Sequence, residues 1–380
     1  MEQMNLKEAI TFRLHNQQLL RPQFEKAEEV VEWMGMMQAQ DYNQFRWAIG
    51  MRMKNPQLEA VKESFSAGRI VRLHLLRCTV QAVTAQDYPW MLDLCRERNL
   101  STIKSWLSYN KTNFSEQYYQ EGTEALKEIL ADGRSLTKKC IGEEMAKLGV
   151  PSDIAHLNPI LLRGEIEGLL ISGEMQGNSA TWALTERRFK TLEKFQDKTE
   201  QQLSSREALA ILARNYFRSH SPASFEDFCW WTGLSITQNR TAIQQIASEL
   251  EEVKIKKHPK EEQTLFIYKL HSIEDSLAGR NVPASTTEEN PVILLPPYDE
   301  YLIGYKSRWI SLDKIHEPKA HNRFGIFHPV ILYQGKVVGN WKASVAQKAK
   351  CIETELFSQK REIGIRRLQK AKDALQQFYK

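Results

Sequence analysis

GTEALKEILADGRSLTKKCIGEEMAKLGVPSDIAHLNPILLRGEIEGLLISGEMQGNSATWALTERR, residues 122–188, holds three helix signals and a hairpin signal in one run. Gly122–Leu130 has amphipathic spacing and is broken by Asp132-Gly133. Ser135 is placed to cap a helix through Leu148, which Gly149-Val150-Pro151 ends. Pro159 is suited to open a third helix ending at Gly173, and EMQGNSATWALTERR then reads as strand, Gly-Asn turn and strand. Three helices followed by a two-stranded hairpin is the order of a winged helix.

Working outward, the same order recurs on both sides. Downstream of the polar linker EKFQDKTEQQ, Ser204 or Ser205 caps a first helix and Ser221-Pro222 starts a second, ASFEDFCWWTGL. SITQNRTAIQQIASEL is the third, before the hairpin EEVKIKKHP–KEEQTLFIYKL. Upstream, helices fit Lys7–Leu20, Ala27–Met37 with a continuation past Asp41, and Gln57–Ala67. IVRLHLLRCTVQAV then suits a strand pair, because β-branched and apolar residues fit a pleated surface. The expected fold class is α+β: three tandem winged-helix units, a C-terminal β-rich region and a terminal helix. The expected boundaries are 5–90, 122–190 and 203–270 for the three units and 91–121 for a helical connector. The β-rich region covers 290–345, with a turn at Gln334-Gly335, and the basic terminal helix covers 350–380. AGRNVPASTTEENP reads as a loop.

Composition narrows the class. The chain has 380 residues, 42% hydrophobic and 26% charged, which suits a globular protein of two or three domains. No apolar run reaches the roughly 18 residues of a membrane span, and MEQMNLKEAI lacks the apolar core of a secretion signal. The five cysteines are scattered, with no C-x-x-C pair, which fits a reducing cytosol rather than a disulfide or zinc framework. The expected localisation is cytoplasmic and nucleoid-associated. A formal net charge of +5 permits nucleic-acid binding without demanding it.

No metal motif or phosphate-cradling glycine loop is found among the usual patterns, so neither metal nor cofactor is expected. One short stretch stands apart: Met36-Met37-Gln38-Ala39-Gln40-Asp41-Tyr42. Its two amides follow an apolar helix. Helix residues two apart do not share a face, so Gln38 and Gln40 converge only if the helix ends or kinks there. They also fit a plain role in capping or solvating a helix end. Arg72 and His74 lie on one face of the first hairpin by period two, with Arg77 opposite. Lys254, Lys256, Lys257 and Lys260 form a basic cluster on the third hairpin, suited either to phosphates or to protecting an exposed sheet edge. The Trp230-Trp231 pair reads as core packing.

With these residues in view, the chain resembles the AlkZ/YcaQ-type winged-helix DNA glycosylases over nearly its whole length. Gln38-Ala39-Gln40 matches the Gln-Φ-Gln motif of the AlkZ branch rather than the Gln-Φ-Asp of the YcaQ branch. LLPPYDEYLIGYKSR at 294–308 is close to L-L-P-x-[FY]-D-E-Y-x-x-G-Y-x-x-R. HPVILYQGKVVGNWK at 328–342 is similar to P-x-[IV]-L-x-x-G-x-[IV]-x-G-x-W. The first wing departs: where the family often has Arg-Gly-Thr-x-His, this chain has Arg77-Cys78-Thr79-Val80-Gln81.

The resemblance implies a monofunctional glycosylase that hydrolyses the N-glycosidic bond of N-alkylated purines, including bulky or interstrand-crosslinked N7 adducts. Gln38 and Gln40 are the expected catalytic pair, positioning a water and stabilising positive charge. Asp299 and Tyr301 are possible supports, although a strand-end turn with a capping Asp fits equally. Lys306 and Arg308 join Arg72, His74, Arg77, Lys254, Lys256 and Lys257 as candidate DNA contacts. The expected partner is double-stranded DNA carrying alkylated bases, bound by a monomer with no membrane role. Two alternatives stay open: a non-catalytic DNA-binding protein such as a transcription regulator, and a protein-interaction scaffold.

Overall fold

The computed structural model describes residues 2–110, 114–190, 203–258, 261–269, 291–343, 351–358 and 363–380. The linker at 193–202, Lys260 and the loop at 278–290 lie outside the described residues. Helices and small sheets alternate along the chain, giving the α+β class. The chain divides into two compact units, one of Lys62–Ala208 and one of Met1–Val61 with Leu209–Lys380. The segment expected as a first winged helix is thus shared: its early helices belong to one unit and its hairpin to the other.

In the unit Lys62–Ala208, the opening stretch forms helices Glu116–Ile129, Lys138–Lys147 and Ile154–Ile166. A small sheet orders Leu136–Thr137, Thr181–Leu184 and Leu170–Ser172 across its width. Leu126, Leu130, Ile141, Met145 and Leu170 are fully buried at the centre. Each such side chain contributes roughly 1.5–3 kcal/mol by leaving water. A Cβ on Gly122 would lie 2.7 Å from Ile160 Cδ1, so glycine permits this close helix approach. Helix starts differ from expectation where a better cap exists. Thr137, not Ser135, accepts the Cys140 N–H, while Ser135 Oγ accepts from Glu174 N. Asp153 caps the third helix through Ala155 N and His156 N, five residues before its expected start and with Pro159 inside it. Two cap hydrogen bonds outweigh the proline signal here.

The other unit holds two sheets. Glu2–Met4 pairs in parallel with Leu250–His258, which pairs antiparallel with Glu261–Tyr268. Ser204 caps the helix Ser205–His220 at its start, Ser224 caps Phe225–Thr232 and Ser235 caps Ile236–Gln245. The second sheet orders Val292–Leu295, Val330–Tyr333, Lys336–Ala343 and Ile352–Leu356. Its last strand lies within the stretch expected as terminal helix. Alternation of buried Ile352 with exposed Glu353 and Glu355 explains the strand. The terminal helix itself is Ile365–Phe378. Phe378 packs on Trp47 with ring centroids 5.2 Å apart, and Trp47 Nε1 donates to Leu294 O at 2.8 Å.

Candidate active site

The two glutamines are placed by the end of a helix. Ala27–Met34 stops at Gly35, whose φ of 74° suits glycine, and a Cβ there would lie 2.6 Å from Asn215 Cβ. The chain then runs extended through Met37–Gln38 instead of continuing the helix past Asp41. The strand ends at Gln38, and Ala39 and Gln40 follow outside it. Ala39 between the glutamines is fully buried, Gln38 is buried and Gln40 is exposed.

The Gln38 side chain is fixed by its own strand. Its Oε1 accepts the Gln40 N–H at 2.8 Å, which also identifies the carbonyl end of the amide. Asp41 ends the segment, its Oδ1 accepting from Asn43 N and Gln44 N before the helix Phe45–Gly50.

Behind this strand lies a buried polar layer built from the second motif. Asp299 caps the short helix Glu300–Ile303 by accepting from Tyr301 N. Both of its oxygens receive Arg52 guanidinium hydrogens at 2.8 Å, a bidentate pair wholly out of solvent. Arg52 Nε also donates to Gln17 O and Nη1 to Ala48 O. Tyr301 is fully buried, and its hydroxyl donates to Gly335 O. Burial pushes that phenol up to about 12. Asp299 and Tyr301 therefore hold the scaffold together rather than facing solvent.

Glu300, between them, touches the glutamine strand directly. Its Oε1 accepts the Gln38 N–H at 2.7 Å. Its Oε2 accepts from Trp231 Nε1 at 3.1 Å and lies 3.4 Å from His220 Nε2. The carboxylate is 1% exposed. Glu300 is marked in the sequence only by the matched Asp-Glu-Tyr run, and Arg52 and Gln17 by no local pattern. Trp231 is a core residue, as expected. Trp230 is partly exposed, donates to Ile303 O and lies beneath the Arg308 guanidinium.

The candidate DNA contacts are placed variously. Lys306 is exposed, while Arg308 is half-buried, its Nε donating to Leu302 O. Lys256 is exposed, and Lys254 and Lys257 pair with Glu262 and Glu261 across the hairpin. In the other unit, Arg72 and His74 lie in the strand Ile70–His74, paired with Val80–Thr84. His74 Nδ1 meets Glu165 Oε2 at 2.6 Å, and the same oxygen accepts the His74 N–H. Arg77 does not share their strand, because the strand ends at His74. Leu76–Cys78 is a tight turn in which Arg77 and Cys78 both have positive φ. Gln81 is buried, and its Nε2 donates to Thr79 Oγ1 and Leu76 O. It thereby stabilises the turn at the position where the resembled motif carries histidine. Among the described residues no group of three His, Cys, Asp or Glu side chains is arranged to hold a metal ion.

The family described as DNA glycosylase AlkZ-like matches residues 31–378 of the chain. No curated protein matches it. Among solved structures, Streptomyces sahachiroi DNA glycosylase AlkZ is similar with a TM-score of 0.74 at 19% sequence identity, covering 99% of this chain and 97% of that one.

Proposed function

We propose a specific reaction for this chain, which belongs to the AlkZ-like DNA glycosylase family. The chain is a DNA glycosylase, and DNA is its substrate. This sets aside the non-catalytic and scaffold readings. The proposed reaction is hydrolytic excision of N-alkylated purines, N7-alkylguanine above all, with bulky and interstrand-crosslinked adducts as further substrates.

The observation that carries the reading is the Gln38-Ala39-Gln40 segment itself. Gln38 is locked by its bond to Gln40 N–H, and Gln40 stands exposed beside it. An N7-alkylguanine is cationic before the reaction begins, so its departure needs no acid. The C1′–N9 bond breaks with its electron pair moving to the base, which leaves neutral. A water oxygen then bonds to C1′ and sheds a proton to solvent. A carboxamide has no useful proton affinity near neutral pH, so it works by holding the water and aiming its dipole at the developing charge. The Gln40 carbonyl is free to accept from the water, and the Gln38 amide hydrogens to donate. Positioning of this kind lowers a barrier by several kcal/mol, on the order of 7–11 at the upper end. It suffices for an activated base and fails on an intact one.

We assign the three helix–hairpin repeats at 5–90, 122–190 and 203–270 to winged helices on duplex DNA, acting in a monomer. Support comes from repeated element order: helix, strand, helix, helix, strand, strand at 116–184. The third repeat has the same order once the bridge between Ala223 and Phe266 is counted. Arg72, His74, Arg77, Lys254, Lys256, Lys257, Lys306 and Arg308 are the proposed DNA contacts. The test is release of free 7-methylguanine from alkylated duplex DNA, run beside a crosslinked N7 adduct. Wild-type protein is expected to release the base and a Gln38→Ala, Gln40→Ala double variant to lose at least about a hundredfold in rate. Undiminished release by the double variant defeats the assignment.

A further inference from the structure

We propose that Glu300 is a positioning residue for the glycosylase reaction, acting through Gln38 by holding the strand end from which the glutamine segment runs. The inference rests on the proposed role of Gln38 and Gln40. Two observations carry it.

The first is contact. Glu300 Oε1 accepts the Gln38 backbone N–H at 2.7 Å, and Gln38 Oε1 in turn accepts the Gln40 N–H at 2.8 Å. Carboxylate, Gln38 peptide, Gln38 amide and Gln40 peptide thus form one unbroken relay. Moving the carboxylate moves the backbone from which both glutamine side chains extend.

The second is burial. Glu300 is 1% exposed, and its other oxygen accepts from Trp231 Nε1 and lies 3.4 Å from His220 Nε2, so the carboxylate is anchored to the core behind the strand it holds.

Glu300 touches no reacting atom and takes no proton; it fixes the backbone on which the glutamine segment is set.

The test uses a duplex oligonucleotide with a single 7-methylguanine, under single-turnover conditions, with DNA affinity measured in parallel. Glu300→Gln is expected to lower the excision rate at least about tenfold while leaving the dissociation constant within about threefold. In a Gln38→Ala background the same substitution is expected to cost little more, because both changes break one relay. A role in stability alone gives an equal loss in both backgrounds, or a loss that tracks the unfolding midpoint, and overturns the proposal. So does a Glu300→Gln rate within about threefold of wild type. If Glu300→Gln does not fold, Glu300→Asp takes its place in the same cycle. One methylene too short to reach Gln38 N–H, it is judged by the same two outcomes. Should Gln38→Ala itself retain the wild-type rate, the parent reading fails. Should Gln38→Ala lose rate while Glu300→Gln does not, this inference alone fails.

Discussion

Cys78 occupies a backbone position that ordinarily goes to glycine. Thr79 N donates to Leu76 O, and the two residues between, Arg77 and Cys78, have φ of 60° and 53°. Positive φ at both central residues defines a tight hairpin turn that prefers Asn-Gly or Gly-Gly. Here the Cβ atoms crowd the following carbonyls, at roughly 1–2 kcal/mol per residue. The family motif's glycine at this position thus has a conformational reason, and its absence leaves the turn strained. Cys78→Gly is expected to stabilise the protein by about 1 kcal/mol, the relief exceeding the added chain entropy. Urea unfolding of the two proteins checks this, and a destabilised variant refutes it. The Cys78 thiol is pushed up to about 11 by burial and by the Glu165 charge, so its loss removes no thiolate at neutral pH.

At the scale of elements, one buried carboxylate joins three of them. Glu165 on the helix Ile154–Ile166 accepts from His74 on its strand and from Trp182 Nε1, at 2.6 Å, on another. Burial is the largest influence on Glu165 and raises its pKa. The His74 charge and the hydrogen bonds from His74 and Trp182 together outweigh it, leaving the carboxyl below its usual value. A depressed folded pKa means the unfolded chain binds more protons, so the contribution is complete above the unfolded carboxyl's pKa of about 4.3 and is lost as pH falls through the folded one. The stability difference between wild type and Glu165→Gln is therefore expected to shrink as acid is added. Denaturant titrations at a series of pH values between about 6 and 3 read it directly. A difference independent of pH contradicts the assignment. Gly35 is an ordinary helix-stop signal, and it ends the helix before Met36, so Gln38 stands in a short strand and not at a helix end. The capping residues were legible in kind but shifted in position, as with Thr137 for Ser135, because neighbouring hydroxyls compete and only packing selects one.

For the whole molecule, a formal charge of +5 is modest, and DNA affinity must come from where the charges stand. Lys254 and Lys257 already have carboxylate partners across their hairpin, so each phosphate contact there exchanges one ion pair for another. Lys256 and Lys306 are more open. Duplex affinity is expected to fall with salt, and a Lys256→Ala, Lys306→Ala variant to flatten the log–log slope by about two. Lys257→Ala is expected to flatten it by less. An unchanged slope in the double variant removes those lysines from the interface.

The sequence by itself determined the kinds of element and their order along most of the chain, because helix period, strand alternation and hydroxyl caps are local. Its motifs also pointed to the DNA glycosylase family that the chain belongs to. The strand at Met37–Gln38 that opens the glutamine segment and the buried layer behind it were decided only by the tertiary structure. Glu300 meets Gln38 across 262 positions, and Asp299 meets Arg52 across 247. Hydrogen bonds between residues so far apart leave no periodicity or spacing to read. They exist because burial forces each polar group to find a partner, and which partner it finds depends on how distant segments pack.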